Sequence, residues 1–356
     1  MGQDGKSTIA TKKREGANIK TLGIDLAKNV FRVHGVDALG KTTLQRALRR
    51  RQLLLFMAQL PPCLVGMEAC GGAHYWAREI AKLGHQVKLM SPRFVRPYVK
   101  SSKNDARDAE AICEAVARPS MRFVAVKSQT QQDVLALHRV RALLIRERTA
   151  LMNQIRGLLA ERGIVVAPGA ANLRRAVADL LGAEDHRVSA ILRHILVEAT
   201  ERLRSFEQRL ADYDQQILHF ARWDARTVRL MAVPGVGPLI ATALLATVGD
   251  ARQFKSGRQL SAWLGLVPRE HSSGERKILL GISKCGDRYL RTLLIHGARS
   301  TLYYAARKHD RRSVWLTGLR ERCGANIAAV ALANKNARVL WALLSRNEEF
   351  RAPAAA

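Results

Sequence analysis

Four carboxylates in the first third of the sequence have the types and spacing of a metal site. Asp25 and Glu68 each follow a short apolar run that predicts a strand, and Asp105 and Asp108 are three residues apart in a predicted helix. Acids that meet at a sheet edge repel one another unless a cation lies between them. Carboxylate oxygens suit Mg²⁺, or Mn²⁺, and leave coordination positions for phosphate oxygens. We therefore predict that these four residues bind metal for phosphodiester chemistry.

A serine pair in the second half is a candidate for nucleophilic chemistry. Ser272 and Ser273 precede Gly274, and a serine hydroxyl attacks only with help from neighbouring groups. Nearby basic side chains could stabilise charge on a phosphate. These basic residues are Arg269, Arg276 and Lys277. Residue types alone favour a solvated Ser–Gly turn over a nucleophile.

A glycine-containing turn precedes an apolar helix and is typical of a helix-hairpin-helix motif. Gly235 and Gly237 would let the backbone approach a phosphate, and the N–H groups of the following helix would face it. An ordinary turn between two helices is the alternative. The remaining residues predicted to contact nucleic acid are Lys28, Lys103, Lys284, Arg288 and Arg291.

The charge of the chain indicates a polyanionic partner. Lys and Arg number 59 against 30 Asp and Glu, which gives a formal net charge of +29. Nucleic acid is the first such partner, because neutralised phosphates release counterions. A membrane surface is the competing polyanion, but we find no apolar run of the roughly 18 to 20 residues that span a bilayer and predict no membrane partner. Five scattered cysteines predict neither a zinc site nor disulfides and fit a reducing cytoplasm.

The order of predicted elements divides the chain into domains. Strands followed by alternating strands and helices predict a mixed α/β sheet, and long helices follow. We expect a disordered basic tail at 1–19, a catalytic domain at 20–128, a helical coiled-coil segment at 129–225, a mainly helical domain with the serine site at 226–346, and a second tail at 347–356.

One long predicted helix carries two apolar seams with heptad spacing. The first seam is Leu196, Leu203, Leu210 and Ile217, and the second is Ala199, Phe206, Tyr213 and Phe220. This pattern is typical of a coiled coil. The helix could pack on an earlier long helix of the same chain or on a partner chain, and we expect it to form an oligomer contact.

These motifs together resemble the DEDD transposases of bacterial insertion sequences, the IS110 family of bridge-RNA-guided recombinases. The resemblance extends from about residue 20 to about residue 345. It includes GIDLAK at 23–28, MEACGGAHYWA at 67–77, KNDARDAEA at 103–111, PGVG at 234–237 and GLVPRE at 265–270. It also includes the step from Ser273 to Gly274, on which the catalytic serine of the family falls.

The resemblance implies a specific fold, site and set of partners. The fold is an RNase-H-like, RuvC-like N-terminal domain, a coiled-coil linker and a separate transposase domain. The four family acids fall on Asp25, Glu68, Asp105 and Asp108. The implied partners are donor and target double-stranded DNA, a structured RNA encoded beside the gene, and further copies of the chain in a tetramer built from dimers, in which acids of one subunit face the serine of another.

The expected function is therefore RNA-guided recombination of DNA that mobilises the insertion sequence encoding the chain. We expect it in the bacterial cytoplasm, associated with the nucleoid while it acts. Two alternatives remain: a RuvC-like junction endonuclease that uses only the acids and water, and a non-catalytic DNA-binding protein. The second has no use for four acids in this order.

Overall fold

The computed structural model describes residues 18–99, 105–183, 185–274, 276 and 278–351. The chain divides into two compact units, Met1–Ser128 and Gln129–Ala356. Most of the two expected tails lies outside the described residues. The first expected tail includes Ile19, but this residue is only 1% exposed and belongs to a hydrophobic core. The folded part of the chain therefore begins before residue 20. The further boundary between residues 225 and 226 remains a prediction.

The first unit is built on a six-stranded mixed sheet, which confirms the expected α/β class. Strand β1 is antiparallel to β2 and parallel to β4, and the spatial order is β3-β2-β1-β4-β5-β6. The strands are β1 (Thr21–Asp25), β2 (Val30–Val36), β3 (Thr42–Arg49), β4 (Leu64–Glu68), β5 (Gln86–Met90) and β6 (Phe123–Val124).

Helices cover both faces of this sheet. They are α1 (Leu53–Ala58), α2 (Ala73–Lys82), α3 (Pro92–Val95) and α4 (Asp105–Val116). Because side chains alternate along a strand, Leu22 and Ile24 point away from the face that carries Gly23. Both are fully buried in a core that they share with Trp76 and Ile80 of α2. Helix α4 packs on the opposite face, against β1, β2 and β4.

Two glycines allow α4 to lie directly on the sheet. Gly23 of β1 and Gly66 of β4 are paired in register. A Cβ on Gly23 would overlap the carbonyl oxygen of Ala109 and lie 2.5 Å from the backbone nitrogen of Cys113. A Cβ on Gly66 would lie 2.8 Å from Cβ of Val116. Any side chain at either position would push the helix away from the strands.

The second unit is mainly helical. Its helices are α5 (Gln129–Ala160), α6 (Ala170–Gly182), α7 (Ala190–Trp223), α8 (Ala225–Met231), α9 (Pro238–Val248), α10 (Gly257–Trp263), α11 (Arg288–Ala305), α12 (Arg311–Cys323) and α13 (Ala325–Arg346). A two-stranded hairpin, β7 (Pro268–Glu270) and β8 (Leu279–Ile282), lies between α10 and α11. The largest core of the unit is formed mainly by α9, α11 and α13.

The apolar seam of α7 packs within the chain. Leu196 and Leu203 share a core cluster with Leu151 and Ile155 of α5. Leu210 and Ile217 are also buried in the single chain. The seam is therefore occupied by an intrachain helix pair, which is the alternative to the expected oligomer contact. The expectation was wrong because heptad spacing specifies an apolar stripe but not the chain that covers it.

Helix α13 corrects the expectation that no apolar run is long enough to span a membrane. Among the described residues it is the one helix that passes by length and composition, with a mean hydropathy of 1.3. Its buried residues include Leu332, Ala333 and Leu340, which belong to the core that α13 shares with α9 and α11. The hydropathy of α13 is accounted for by this burial.

A buried histidine links three helices of the second unit. His138 of α5 lies 2.9 Å through Nδ1 from the hydroxyl of Tyr289 and 2.9 Å through Nε2 from Oγ1 of Thr242. The Thr242 hydroxyl donates to the carbonyl of Pro238 at 2.7 Å, so it accepts from Nε2–H of His138. The Nδ1 atom then accepts from Tyr289. Burial lowers the pKa of His138 to about 4, because a charged ring would lose its hydration.

We expect Gly23→Ala to lower the free energy of unfolding by roughly 1–3 kcal/mol, because the added methyl group overpacks the contact with α4. Urea unfolding followed by circular dichroism measures this change. Gly157→Ala is the matched control, since its Cβ would meet no atom within 4 Å and it lies inside α5. That control should gain roughly 0.5–1 kcal/mol. Wild-type stability of Gly23→Ala would show that α4 does not rest on β1.

We expect His138 to make the stability of the second unit pH-dependent. The pKa of His138 is lower in the folded chain than its ordinary value of 6.5. The contribution of neutral His138 to the free energy of unfolding is therefore complete above pH 6.5 and is lost as the pH falls towards about 4. The loss is at most about 3 kcal/mol. Unfolding midpoints of wild type and His138→Gln should therefore converge on acidification, whereas exposed His194→Gln should follow the wild type. Parallel curves for wild type and His138→Gln would contradict this assignment.

Candidate active site

The sheet brings Asp25 and Glu68 to the same edge and the same face. Strands β1 and β4 are parallel and in register through Ile24 and Met67, so the next residue of each strand is an acid. Asp25 lies two residues after Gly23, and Glu68 lies two residues after Gly66. Both acids therefore share the face on which α4 packs. Each is half-buried.

Helix α4 adds the remaining two acids of the predicted tetrad. The helix begins at Asp105, and Asp108 follows within the first turn. Ala109 lies against Gly23, so the start of the helix is close to the strand ends that carry the first two acids. The side chain of Asp105 is outside the described part of the chain, and that of Asp108 is half-buried.

The electrostatics indicate that three of these carboxylates are close to one another. Burial raises the pKa of the Glu68 carboxyl, and the negative charges of Asp25 and Asp108 raise it further. Such mutual repulsion is the condition that a bound cation relieves. Asp25, Glu68 and Asp108 are therefore close enough to interact electrostatically, and their action as one site remains a prediction.

The donor set fits a hard divalent ion. Oxygen atoms of carboxylates are the preferred protein ligands of Mg²⁺ and Mn²⁺. Among the side chains that the structure describes, no three acidic, imidazole or thiol groups converge as a complete set of metal ligands. The tetrad would be completed by Asp105, whose side chain is not among them. Metal binding by the tetrad therefore remains a prediction.

Of the two lysines predicted beside the acids, the structure describes only Lys28. Lys28 is exposed in the loop after β1, and its carbonyl accepts from Nη1 of Arg50 at 3.4 Å. Its side chain is on the surface, three residues after Asp25 in the sequence. Lys103 lies outside the described residues.

The predicted serine site is the tip of the β7–β8 hairpin. Ser273 and Arg276 face each other through two backbone hydrogen bonds of 3.3 Å and 3.2 Å, and both residues are exposed. The Ser272 hydroxyl donates to Oε1 of Glu270 at 2.9 Å and accepts from the N–H of Ile278 at 3.3 Å. The Ser273 hydroxyl has no hydrogen-bond partner among the described residues. The two serines thus differ: Ser272 stabilises the hairpin, whereas Ser273 is exposed and its hydroxyl bonds none of the described residues.

Basic residues around the hairpin divide into exposed and buried ones. Arg269, Lys284 and Arg288 are exposed, and Lys277 is outside the described residues. Arg291 does not lie on the expected basic face. It is 7% exposed, and its Nη1 donates to the carbonyls of Leu264 at 2.9 Å and Cys285 at 3.0 Å. Its charge and fork geometry serve to join α11 to the two loops that flank the hairpin.

The glycine turn before α9 has a packing role that the sequence did not reveal. Gly235 has a φ of 85°, and a Cβ there would lie 2.6 Å from the carbonyl oxygen of Gly297 and 2.5 Å from Oγ1 of Thr301. This residue is glycine because the turn rests on α11. Gly237, in contrast, has open space where a side chain would be. Phosphate binding at Gly237 and the start of α9 remains a prediction.

Sequence reasoning missed the pair of glycines that positions the acids. The signal was present, because Gly-Ile-Asp at 23–25 and Gly-Met-Glu at 66–68 repeat one pattern on two strands. A glycine two residues before an acid places the bare position and the carboxylate on the same face. The meaning of the repeat depends on the helix that covers that face.

We expect Arg291 and Arg288 to respond differently to alanine substitution. Arg291→Ala removes the donor to the buried carbonyl of Leu264 and the part-buried carbonyl of Cys285 and should cost about 1–3 kcal/mol of stability. Arg288→Ala should leave unfolding unchanged and reduce the slope of log binding constant against log salt for DNA by about 1. Urea unfolding and salt-dependent fluorescence anisotropy measure the two effects. A reversed result would return Arg291 to the nucleic-acid interface.

Comparison with known proteins identifies the family of the chain. Residues 22–163 match a family model of DEDD transposases, and residues 228–313 match one described as the transposase IS116/IS110/IS902 family. A probable family 20 transposase of Pseudomonas aeruginosa is 54% identical over 94% of this chain and 99% of its own length. The transposase for insertion sequence element IS1111A of Coxiella burnetii is 45% identical over 99% of this chain and 96% of its own. A pilin gene-inverting protein of Moraxella lacunata is 23% identical over 59% of this chain and 58% of its own. The chain is an enzyme of the IS110 family of insertion-sequence transposases.

Proposed function

We propose that this transposase cuts and rejoins DNA through a serine nucleophile, Ser273, assisted by the acidic tetrad with Mg²⁺, under the direction of a structured RNA. The observation that carries the proposal is the pairing of two features. One is a group of mutually repelling carboxylates at a sheet edge, and the other is an exposed serine hydroxyl with no partner among the described residues. A single hydrolytic site would need only the first.

The serine step forms one bond and breaks another. Oγ of Ser273 attacks a DNA phosphorus, and the bond from phosphorus to one deoxyribose oxygen breaks. The serine proton passes to water, and the leaving oxygen takes up a proton. The strand is then held as a phosphoserine ester, which conserves the bond energy needed for rejoining. Arg276 faces Ser273 across the hairpin tip, and its exposed guanidinium is suited to stabilise the charge that develops on the phosphate.

The acids hold the metal. The match to DEDD transposases supports dependence on a divalent ion, and the carboxylate donors favour Mg²⁺ over softer metals. When bound, the ion would polarise the phosphate and stabilise the leaving oxygen. Asp25 and Glu68 would hold it from the rigid strand ends, and Asp105 and Asp108 from α4.

The proposed partners rest on family resemblance and charge. The net charge of +29 supports binding of DNA and RNA phosphates. The guide RNA, the tetramer and the meeting of one subunit's acids with another's serine are supported by the resemblance. The gene-inverting relative supports rejoining as well as cutting, because inversion of a gene requires both. We expect the enzyme to act in the bacterial cytoplasm at the nucleoid.

We expect a covalent protein–DNA adduct that depends on Ser273. Wild type incubated with labelled element ends, guide RNA and Mg²⁺ should give a slow-moving band on a denaturing gel, and Ser273→Ala should abolish both the band and recombination. Ser272→Ala is the matched control. It should retain the adduct, with a small loss of hairpin stability, because its hydroxyl bonds Glu270 and Ile278.

The acids are tested in the same assay. Glu68→Gln should lose cleavage but keep DNA binding, because one neutralised ligand weakens the metal while the positive field remains. Normal cleavage by both serine variants would identify water as the nucleophile and the enzyme as a junction endonuclease. Full activity of Glu68→Gln would remove that acid from the site.

A further inference from the structure

A basic and aromatic cleft lies at the end of the sheet that carries the acids. Its volume is about 660 Å³, and we call it the arginine cleft. Its lining includes Asn29, Arg49, Arg50, Arg51, Tyr75 and Trp76. The lining comes from the start of β2, the end of β3 with the helical turn Arg50–Gln52 that follows it, α1 and the first turn of α2.

The arginine cleft and the acids lie at the same end of the sheet but on different faces. Asn29 closes the loop that follows Asp25, and Tyr75 lies in the helix that follows the loop after Glu68. Trp76 belongs to the core on the α2 face, whereas the acids share the face that α4 covers. Nη1 of Arg50 also donates to the carbonyl of Lys28, in the loop after Asp25.

The positive charges of the cleft come from three consecutive arginines, of which one is held in place by aromatic rings. The guanidinium carbon of Arg50 lies 5.0 Å from the ring centroid of the buried Trp76 and 5.9 Å from that of Phe31, which holds its charge by cation–π contact. Arg49 and Arg51 are exposed. Within the described residues, none of the three arginines forms an ion pair. Three adjacent cations without carboxylate partners are suited to phosphates.

The aromatic member of the cleft is exposed beside these charges. Tyr75 is 44% exposed and contacts Trp76 edge-on, with ring centroids 5.1 Å apart. An exposed aromatic ring next to a basic groove is the arrangement on which unpaired bases stack while their phosphates bind arginine. A duplex hides the faces of its bases, so Tyr75 can stack only on a base that is unpaired.

We propose that the arginine cleft binds an unpaired stretch of nucleic-acid strand at the end of the sheet that carries the acids. Tyr75 stacks on a base, and Arg49 to Arg51 bind the adjoining phosphates. The position of the reacting phosphate rests on the proposed function, whereas strand binding by the cleft does not. The chemistry recognised is that of single-stranded nucleic acid, whether DNA opened at the cut site or RNA.

Binding of labelled oligonucleotides to the full-length chain without metal tests the proposal. Tyr75→Ala should weaken binding of a single strand of about ten nucleotides by about tenfold and leave the matching duplex unaffected, while Tyr75→Phe should bind like the wild type. Tyr303→Ala is the control for an exposed ring outside the cleft, being 69% exposed. Arg49→Ala should weaken the single strand more than Arg46→Ala, which removes an exposed arginine from the same strand of the sheet.

Photocrosslinking with iodouracil-substituted strands identifies the contact. A crosslink mapped by mass spectrometry to Tyr75 supports stacking, and separate DNA and RNA strands show which one occupies the cleft. Equal losses on single strand and duplex, or unchanged binding by Tyr75→Ala, would overturn the proposal. Because these measurements need no cleavage, they stand even if the serine and acid variants disprove the proposed chemistry.

Discussion

The close approach of α4 to β1 and β4 is the contact on which the candidate active site depends. It is possible only because two paired strand positions, Gly23 and Gly66, carry no side chain. The same pairing puts Asp25 and Glu68 on the face that the helix covers. Backbone contact therefore does two things at once: it closes one core of the unit, and it brings acids from strand and helix together.

Repulsion among those acids is the cost of this arrangement. The pKa of Glu68 is raised because the carboxyl is partly buried and faces two other negative charges. Rigid strand ends keep the charges from moving apart. A site that holds like charges in place before its ligand arrives loses little in reorganisation when a cation binds.

In the second unit, buried polar side chains hold separate elements together. His138 links α5, α9 and α11, and Arg291 joins α11 to the carbonyls of Leu264 and Cys285 on either side of the hairpin. The bonds of Arg291 anchor the base of a hairpin whose strands are largely exposed. The hairpin therefore combines a firmly held base with an exposed tip that carries Ser273.

The sequence by itself determined the element types and the identity of the acids. The short apolar runs before Asp25 and Glu68 predicted two strands whose ends carry the acids, because this pattern depends only on local geometry. What only the tertiary structure decided was which surfaces meet. The seam at Leu196 and Leu203 is covered by α5 of the same chain, and Arg291 is buried although arginine is usually exposed. Gly235 rests on α11, and Arg49 to Arg51 meet Tyr75 in a cleft. Each of these contacts joins residues far apart in the chain, so no local pattern could specify its partner.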